Sequence, residues 1–492
     1  SGCATSPTEA LFEPLASEVT ITIAHTNDMH ARGLETKTEI GYSRIAGYVA
    51  AQKAKGGNVL LLDAGDTLHG LPWANLERGA SVMLLMNAAL YDAMTTGNHD
   101  YNYGADRLVE LAGAARFPLV AANVYKGGSR LFKPYVIKDV AGVRVAIFGL
   151  ATPETLYKAD PAGLVGVRFK DPIAEAQRLV NGELKGKYDV LICLSHVGLD
   201  ASSDPTSERI AEALPQIDVL IDGHSHTSLA GAIKENQTAT LIASAGANGT
   251  ELGVVTLVVG TNRKVARKTA ISLNLRDNAS ELVSDPEVKS LADGIAKSQE
   301  PMLAEIVAQS AIELEGKREI VRTSETNLGR LIANGMLVAT GADIALMNGG
   351  GIRDSIPAGP IAKRQVYTVL PFGNYIMTTQ VMGSELKAIL ENGVGKLPAA
   401  DGRYPHLAGW SFSLDPSRPA GERVLDIQVK GRAVDPDKTY TLATLNFLMA
   451  GGDEYTMLAG KTCKEFPSDA DIFIAHVKRL GTVSKDNITF AK

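Results

Sequence analysis

Several apolar runs of this chain end alike, and that shared ending constrains the fold more than any other feature. "VTITIAH" leads into "NDMH", "NVLLLDAGD" closes on aspartates, "YDVLICLSH" on a histidine and "IDVLIDGHSH" on two. "TTGNHDYNYG" places Asn98, His99 and Asp100 between two glycines, again just after an apolar run. The runs are short, β-branched or leucine-rich, and lack clean polar alternation, as strands covered on both faces do. Between them lie helical patterns such as "YSRIAGYVAAQKAK", "ADRLVELAGAA" and "PIAEAQRLVNGELKG". Strand then helix, repeated, predicts a layered α/β domain over residues 19–281. In an α/β sheet the carboxyl ends of the strands share one edge, where ligands bind. Asp28 and His30, Asp63 and Asp66, Asn98 and His99, His196, and His224 and His226 are therefore expected in a single crevice. Of nine histidines, six lie within these stretches; His69 lies three residues past Asp66, and only His406 and His476 lie far away.

Imidazoles and carboxylates with one amide, and no thiolate nearby, suit a borderline divalent ion such as Zn²⁺, Mn²⁺ or Fe²⁺. The ligands are too many for one tetrahedral ion but fit two ions that share a bridging carboxylate. Such a pair can clamp the attacking and leaving oxygens of an in-line displacement and lower the pKa of a water towards neutrality. The expected centre is a di-metal hydrolase site.

Composition narrows the partners. A formal charge of −6 and a pI near 5.9 argue against a nucleic-acid polymer as ligand, which calls for a basic footprint. No run of about 18 apolar residues is present, so no transmembrane helix is expected. Cys3, Cys193 and Cys463 have no metal-ligand spacing, and Cys193 reads as a small buried hydrophobe. "SGC" at residues 1–3 has the form of the end of a bacterial lipobox, with residues 1–18 as a polar tether. On that reading Cys3 carries a lipid anchor and the protein is periplasmic or on the cell surface. Residues 282–310 read as a charged helical connector. A second, smaller α/β unit is expected over 311–492, with helices at "NLGRLIANGMLVAT" and "GSELKAILENG" and strands at "ADIALMN" and "TYTLATLN".

The order D-x-H, GD, GNHD, a lone SH and GHSH resembles that of the calcineurin-like metallophosphoesterases. In the second half "NLGRLIANGM", "NGGGIRDSIPAGPI", "VLPFGNYIM" and "ATLNFLMAGGDEY" are similar to motifs of the 5′-nucleotidase C-terminal domain. The resemblance implies a layered β-sandwich metallophosphoesterase domain flanked by helices, followed by the C-terminal substrate-binding domain. It also implies two divalent metal ions. Asp28, His30, Asp66 and His226 would surround one, and Asp66 would bridge to a second held by Asn98, His196 and His224. His99 would be the catalytic imidazole, not a ligand. Phe372 and Phe447 match the pair that sandwiches the base, and Arg322, Asn348, Arg353 and Asp453 match positions contacting base, ribose or phosphate. These chemistries suit the jobs: aromatic faces stack a base, Arg pairs with anionic oxygens, and Asp accepts from hydroxyls.

One position departs from the pattern. Asn102 stands where many 5′-nucleotidases carry the Asp that orients the catalytic histidine. An Asn can accept a hydrogen bond from His99 but cannot stabilise an imidazolium by charge. The 2′,3′-cyclic-nucleotide phosphodiesterases are more similar here, while the base-sandwich motifs favour nucleoside 5′-monophosphates. UDP-sugars and dinucleotides are the further alternatives on this scaffold. A non-catalytic adhesion protein would lack ligands, and every metal position is filled. A thiosulfate hydrolase of the superfamily would lack the stacking pair. The expected reaction is hydrolysis of a nucleotide to nucleoside and phosphate by metal-activated water.

Overall fold

The computed structural model describes residues 13–156, 158–159, 161–200, 203–229, 234–235 and 240–488. Cys3 and most of the tether lie outside these residues. The described chain divides into two compact units, the first made of most residues up to Ala296 and the second of those from Lys297 onward together with the short segments 70–72 and 157–161.

The first unit is a sandwich of two sheets. One runs Val265–Leu273, Leu252–Val259, Val19–Thr26, Asn58–Asp63, Ala93–Met94 in spatial order. Its last three strands are mutually parallel. The other contains Leu241–Ala243, Val219–Asp222, Val190–His196 and Val143–Ala151 as parallel neighbours, with Tyr135–Val140 antiparallel at one edge. Alternate residues explain the layers. Ile21, Ile23, Leu60 and Leu62 of the first sheet join Val145, Ile147, Ile192 and Leu194 of the second in one buried cluster. The intervening Ala146, Phe148, Leu191 and Cys193 point the other way, against Ala176, Leu179 and Ile210 of the flanking helical layer. Because side chains alternate with period two, a strand that is apolar at every position must be covered on both sides. That is why these runs lacked polar alternation. The layered α/β sandwich flanked by helices is the architecture the resemblance implied.

The second unit is built on a mixed sheet ordered Pro405–Ala408, Ile344–Asn348, Thr439–Leu445, Tyr375–Met382, Cys463–Ser468. Helices Asn327–Thr340 and Asp469–Leu480 pack on it. The first starts where Thr326 Oγ1 accepts from Gly329 N and stops at Gly341, whose φ of 67° suits a residue without a Cβ. One boundary differs from the sequence reading. Residues 282–310 contain helices Pro286–Ser298 and Glu300–Leu303, but Ile306–Ser310 form a strand paired with Gly359–Ala362 and Thr482–Val483. A five-residue strand after a charged helical run carries too little pattern to be separated from it. Among the described residues no helix is long and apolar enough to cross a membrane.

Candidate active site

The metal-ligand candidates sit where the parallel strands end, but the ends come from two sheets, not one. Asp28 and His30 follow Val19–Thr26, Asp66 follows Asn58–Asp63, and Asn98 and His99 follow Ala93–Met94. From the opposite sheet come His196, last residue of its strand, and His224 and His226 just after Val219–Asp222. Hydrogen bonds tie the two edges together. His196 Nδ1 donates to Ala64 O at 2.6 Å, and His224 N donates to both Asp28 carboxylate oxygens at 3.1 and 3.0 Å.

Three overlapping groups bring ligand-type atoms within 4.8 Å of one another: Asp28–His30–His226, His30–Asp66–His99 and Asp66–His196–His224. His30 Nε2 and His226 Nε2 are 2.9 Å apart, and His226 Nε2 lies 3.6 Å from Asp28 Oδ1. The backbone is bent to achieve this. Asp28, His30, Asp66, His224 and His226 all have positive φ, between 44° and 81°. Left-handed conformations cost energy outside glycine and gather where function over-determines the geometry.

The donor set fits divalent ions on the evidence of one buried atom. The Ala64 carbonyl can only accept, so His196 Nδ1 carries the proton and Nε2 presents a lone pair. That Nε2 is buried without a hydrogen-bond partner, 3.1 Å from Asp66 Oδ2. A lone pair aimed at a carboxylate calls for a positive charge between or upon them. Burial disfavours a charged His196, yet Asp66 and Asp28 overcome it and push its pKa up to about 10. Burial likewise opposes ionisation of Asp66, but His196 and His99 hold its carboxyl well below the usual range. Both shifts report the same demand for cation charge.

Two further residues support Asp66. Asp100, buried at the centre of "GNHD", accepts from the backbone N–H of Asp66, Thr67 and Leu68 at 2.9 Å and of Gly97 at 2.8 Å. It ties the two ligand loops together through backbone alone. Gly97 lies so close that a Cβ there would stand 2.1 Å from Asp66 Oδ1. Gly97→Ala is expected to displace the Asp66 carboxylate and lower metal content and turnover together. Elemental analysis of the purified variant checks this, and parental metal content would show that the loop adapts.

His99 is placed differently from the other ligand candidates. Its backbone N–H donates to Asp66 Oδ1 at 2.7 Å, while its ring Nε2 stays 4.0 Å from Asp66 Oδ2. Asn102 Nδ2 donates to His99 Nδ1 at 3.1 Å. This contact runs opposite to the direction expected from the sequence: the amide donates, so the ring proton sits on Nε2. Burial first, then the imidazoles of His226 and His196, lower the His99 pKa to about 4 against the pull of Asp66. His224 Nδ1 lies 2.9 Å from Asn98 Oδ1, and its Nε2 lies 2.8 Å from Glu154 Oε2. Glu154 was not singled out from the sequence.

The nucleoside candidates group within the second unit. The register pairs Ile376 with Leu445, so Phe372, just before one strand, and Phe447, just after the other, come to the same end of the sheet. Both rings are about half exposed, at 45% and 43%, which a core phenylalanine would not be. Asn348 ends the neighbouring strand, and its Nδ2 donates to Asp453 Oδ2 at 2.7 Å while its Oδ1 is buried without a partner. Arg353 places its guanidinium carbon 5.5 Å from the Phe372 ring centroid. Arg322 Nε is buried without a partner. Burial, then Arg318 and Arg353, lower the Arg322 pKa, so Arg318 is a neighbouring cation that the motifs did not reveal.

Comparison with known proteins follows the same division. A family model for the calcineurin-like phosphoesterase matches residues 21–228, and one for the 5′-nucleotidase C-terminal domain matches residues 306–460. The 5′-nucleotidase of Vibrio vulnificus is 30% identical over 507 residues, covering 94% of this chain and 90% of the relative. The chain belongs to the 5′-nucleotidase family. Members differ in size: the trifunctional nucleotide phosphoesterase protein YfkN of Bacillus subtilis is 31% identical over 94% of this chain, which spans only 34% of that relative. Among solved structures, the 5′-nucleotidase precursor from Thermus thermophilus is 32% identical, with a TM-score of 0.59 over 94% of this chain and 97% of its own. The chain is thus a metallophosphoesterase with a 5′-nucleotidase C-terminal domain.

Proposed function

We propose that this enzyme hydrolyses nucleoside 5′-monophosphates to nucleoside and phosphate at a two-metal centre. Asp28, His30, Asp66 and His226 would hold one ion and Asn98, His196 and His224 the other, with Asp66 shared. Bound there, divalent ions supply positive charge against phosphoryl oxygens and make water more acidic. The protein's own groups do the rest. His99 donates its Nε2–H to a phosphoryl or leaving oxygen as negative charge develops, and Asn102 fixes the tautomer that makes this donation available. Phe372 and Phe447 stack the base, Asp453 accepts from ribose hydroxyls, and Asn348, Arg322 and Arg353 complete the polar contacts.

The observation that carries the nucleotide reading is the pair of half-exposed phenylalanines at one sheet end, beside buried polar atoms that lack partners. Such aromatic faces and unspent hydrogen-bonding capacity suit a flat, polar-edged ligand. The Arg318–Arg322–Arg353 group also favours a second reading, in which the substrate carries another phosphate, as UDP-sugars and dinucleotides do. Assays of AMP, UMP, 2′,3′-cyclic AMP, UDP-glucose and NAD with Mn²⁺ or Zn²⁺ separate these, and the highest kcat/KM is expected for a 5′-monophosphate.

Phe447→Ala tests the stacking. Loss of one aromatic face should cost about 1–3 kcal/mol with AMP, mostly in apparent affinity, and leave a generic aryl phosphate nearly unaffected. Equal effects on both substrates would remove the main support for a nucleotide substrate.

A further inference from the structure

We propose that Glu154 is a positioning residue that fixes the tautomer of His224 and so tightens the divalent ion held by Asn98, His196 and His224. The proposal rests on the two-metal reading above and adds a residue to it.

Glu154 is placed by a rigid lead-in. Strand Val143–Ala151 runs parallel to Val190–His196, with Ala151 opposite His196. Asn123 clamps its end, accepting from Ala151 N at 2.9 Å and donating to Ala151 O at 2.8 Å. Thr152 then shapes the turn: its Oγ1 accepts from Glu154 N at 3.2 Å, and its carbonyl accepts from Thr155 Oγ1 at 2.7 Å. The Glu154 side chain, 8% exposed, therefore leaves a braced turn aimed at His224.

The contact decides which ring nitrogen holds the proton. An ionised carboxylate only accepts, so the 2.8 Å contact makes His224 Nε2 the donor. Nδ1 is left with a lone pair, and it faces Asn98 Oδ1 at 2.9 Å. An amide oxygen also only accepts. With the proton on Nε2, both atoms are of the type that an ion held there would use. Glu154 thus holds in place the tautomer whose Nδ1 lone pair is turned towards the other ligand candidates, and its charge makes that nitrogen a stronger donor to an ion. Without it, the ring would divide its population between tautomers and orientations, and only a fraction would be ready to bind.

The test uses the full chain and metal alone. Affinities for Mn²⁺ and Zn²⁺ are measured by chelator competition for the parent, Glu154→Ala and Glu154→Gln. Glu154→Ala should weaken one of the two ions by roughly 10–100-fold. Glu154→Gln, whose amide oxygen can still accept from Nε2–H, should fall between it and the parent. The melting temperature of the ion-free protein should be unchanged, and ¹⁵N NMR should find His224 protonated on Nε2 in the parent and mixed in Glu154→Ala. Parental affinity for both ions in Glu154→Ala, or equal loss of both with a lower ion-free melting temperature, overturns the proposal while leaving two-metal binding intact. A parent that binds no divalent ion overturns the two-metal reading itself, and this proposal with it.

Discussion

Asp66→Asn should abolish turnover and empty both metal positions together. Asp66 belongs to two of the three ligand groups, and its carboxylate is held well below the usual pKa range, against burial, by His196 and His99. Replacing it with a neutral amide removes the one charge that both positions would share. The loss in affinity should therefore exceed the roughly 10–100-fold typical of an outer partner. Metal analysis checks this directly, and two ions per chain in the variant would rule out a bridging role. The fold should survive. The neighbouring loops are held by Asp100 through backbone N–H groups, and those bonds do not involve the Asp66 side chain.

His99→Asn should give the complementary result: turnover lower by roughly 10²–10⁴-fold with metal content intact. The bond from residue 99 to Asp66 Oδ1 comes from the backbone, so it persists in any variant and keeps that carboxylate in place. Only the ring is lost, together with its Nε2–H. Its 4.0 Å distance from Asp66 Oδ2 already sets the ring apart from His196, which stands at 3.1 Å. Departure of an ion from His99→Asn would show that His99 is a ligand. The two variants thus distinguish holding metal from handling the phosphoryl group.

The polar strand ends were legible because each follows an apolar run that leaves little doubt where the strand stops. Asp28, Asp66, Asn98, His196, His224 and His226 could all be assigned to one place on that ground. The division into two sheets was not legible, since a strand buried on both faces looks the same in one thick sheet and in a sandwich. Glu154 escaped for a different reason. It follows Pro153, and a Pro-Glu pair after a strand reads as an ordinary helix start with an acidic first turn. Nothing in "ATPETL" marks a carboxylate that reaches an imidazole from another strand. Asp100 was quoted beside its neighbours, yet its function is spent wholly on backbone N–H groups, which no side-chain motif records. In the second unit Phe372 and Phe447 were legible as stacking candidates only by resemblance. Pattern alone would bury them, and it is their exposure that separates them from the core.

The left-handed backbone at five candidate ligand positions bears on how metal preference could change over generations. Asp, Asn and His are the side chains that tolerate positive φ best after glycine, and they are also hard-to-borderline donors. At Asp28, His30, Asp66, His224 and His226, chemistry and conformation therefore select the same few residues. A cysteine, the usual route to a softer metal, would have to accept the strained backbone before it could offer its sulfur. Asn98, with φ of −67°, and His196, within a regular strand, carry no such restriction. Retuning towards softer ions by single substitution thus meets no backbone cost at Asn98 and His196, one on each sheet edge, and a strain cost at the other five.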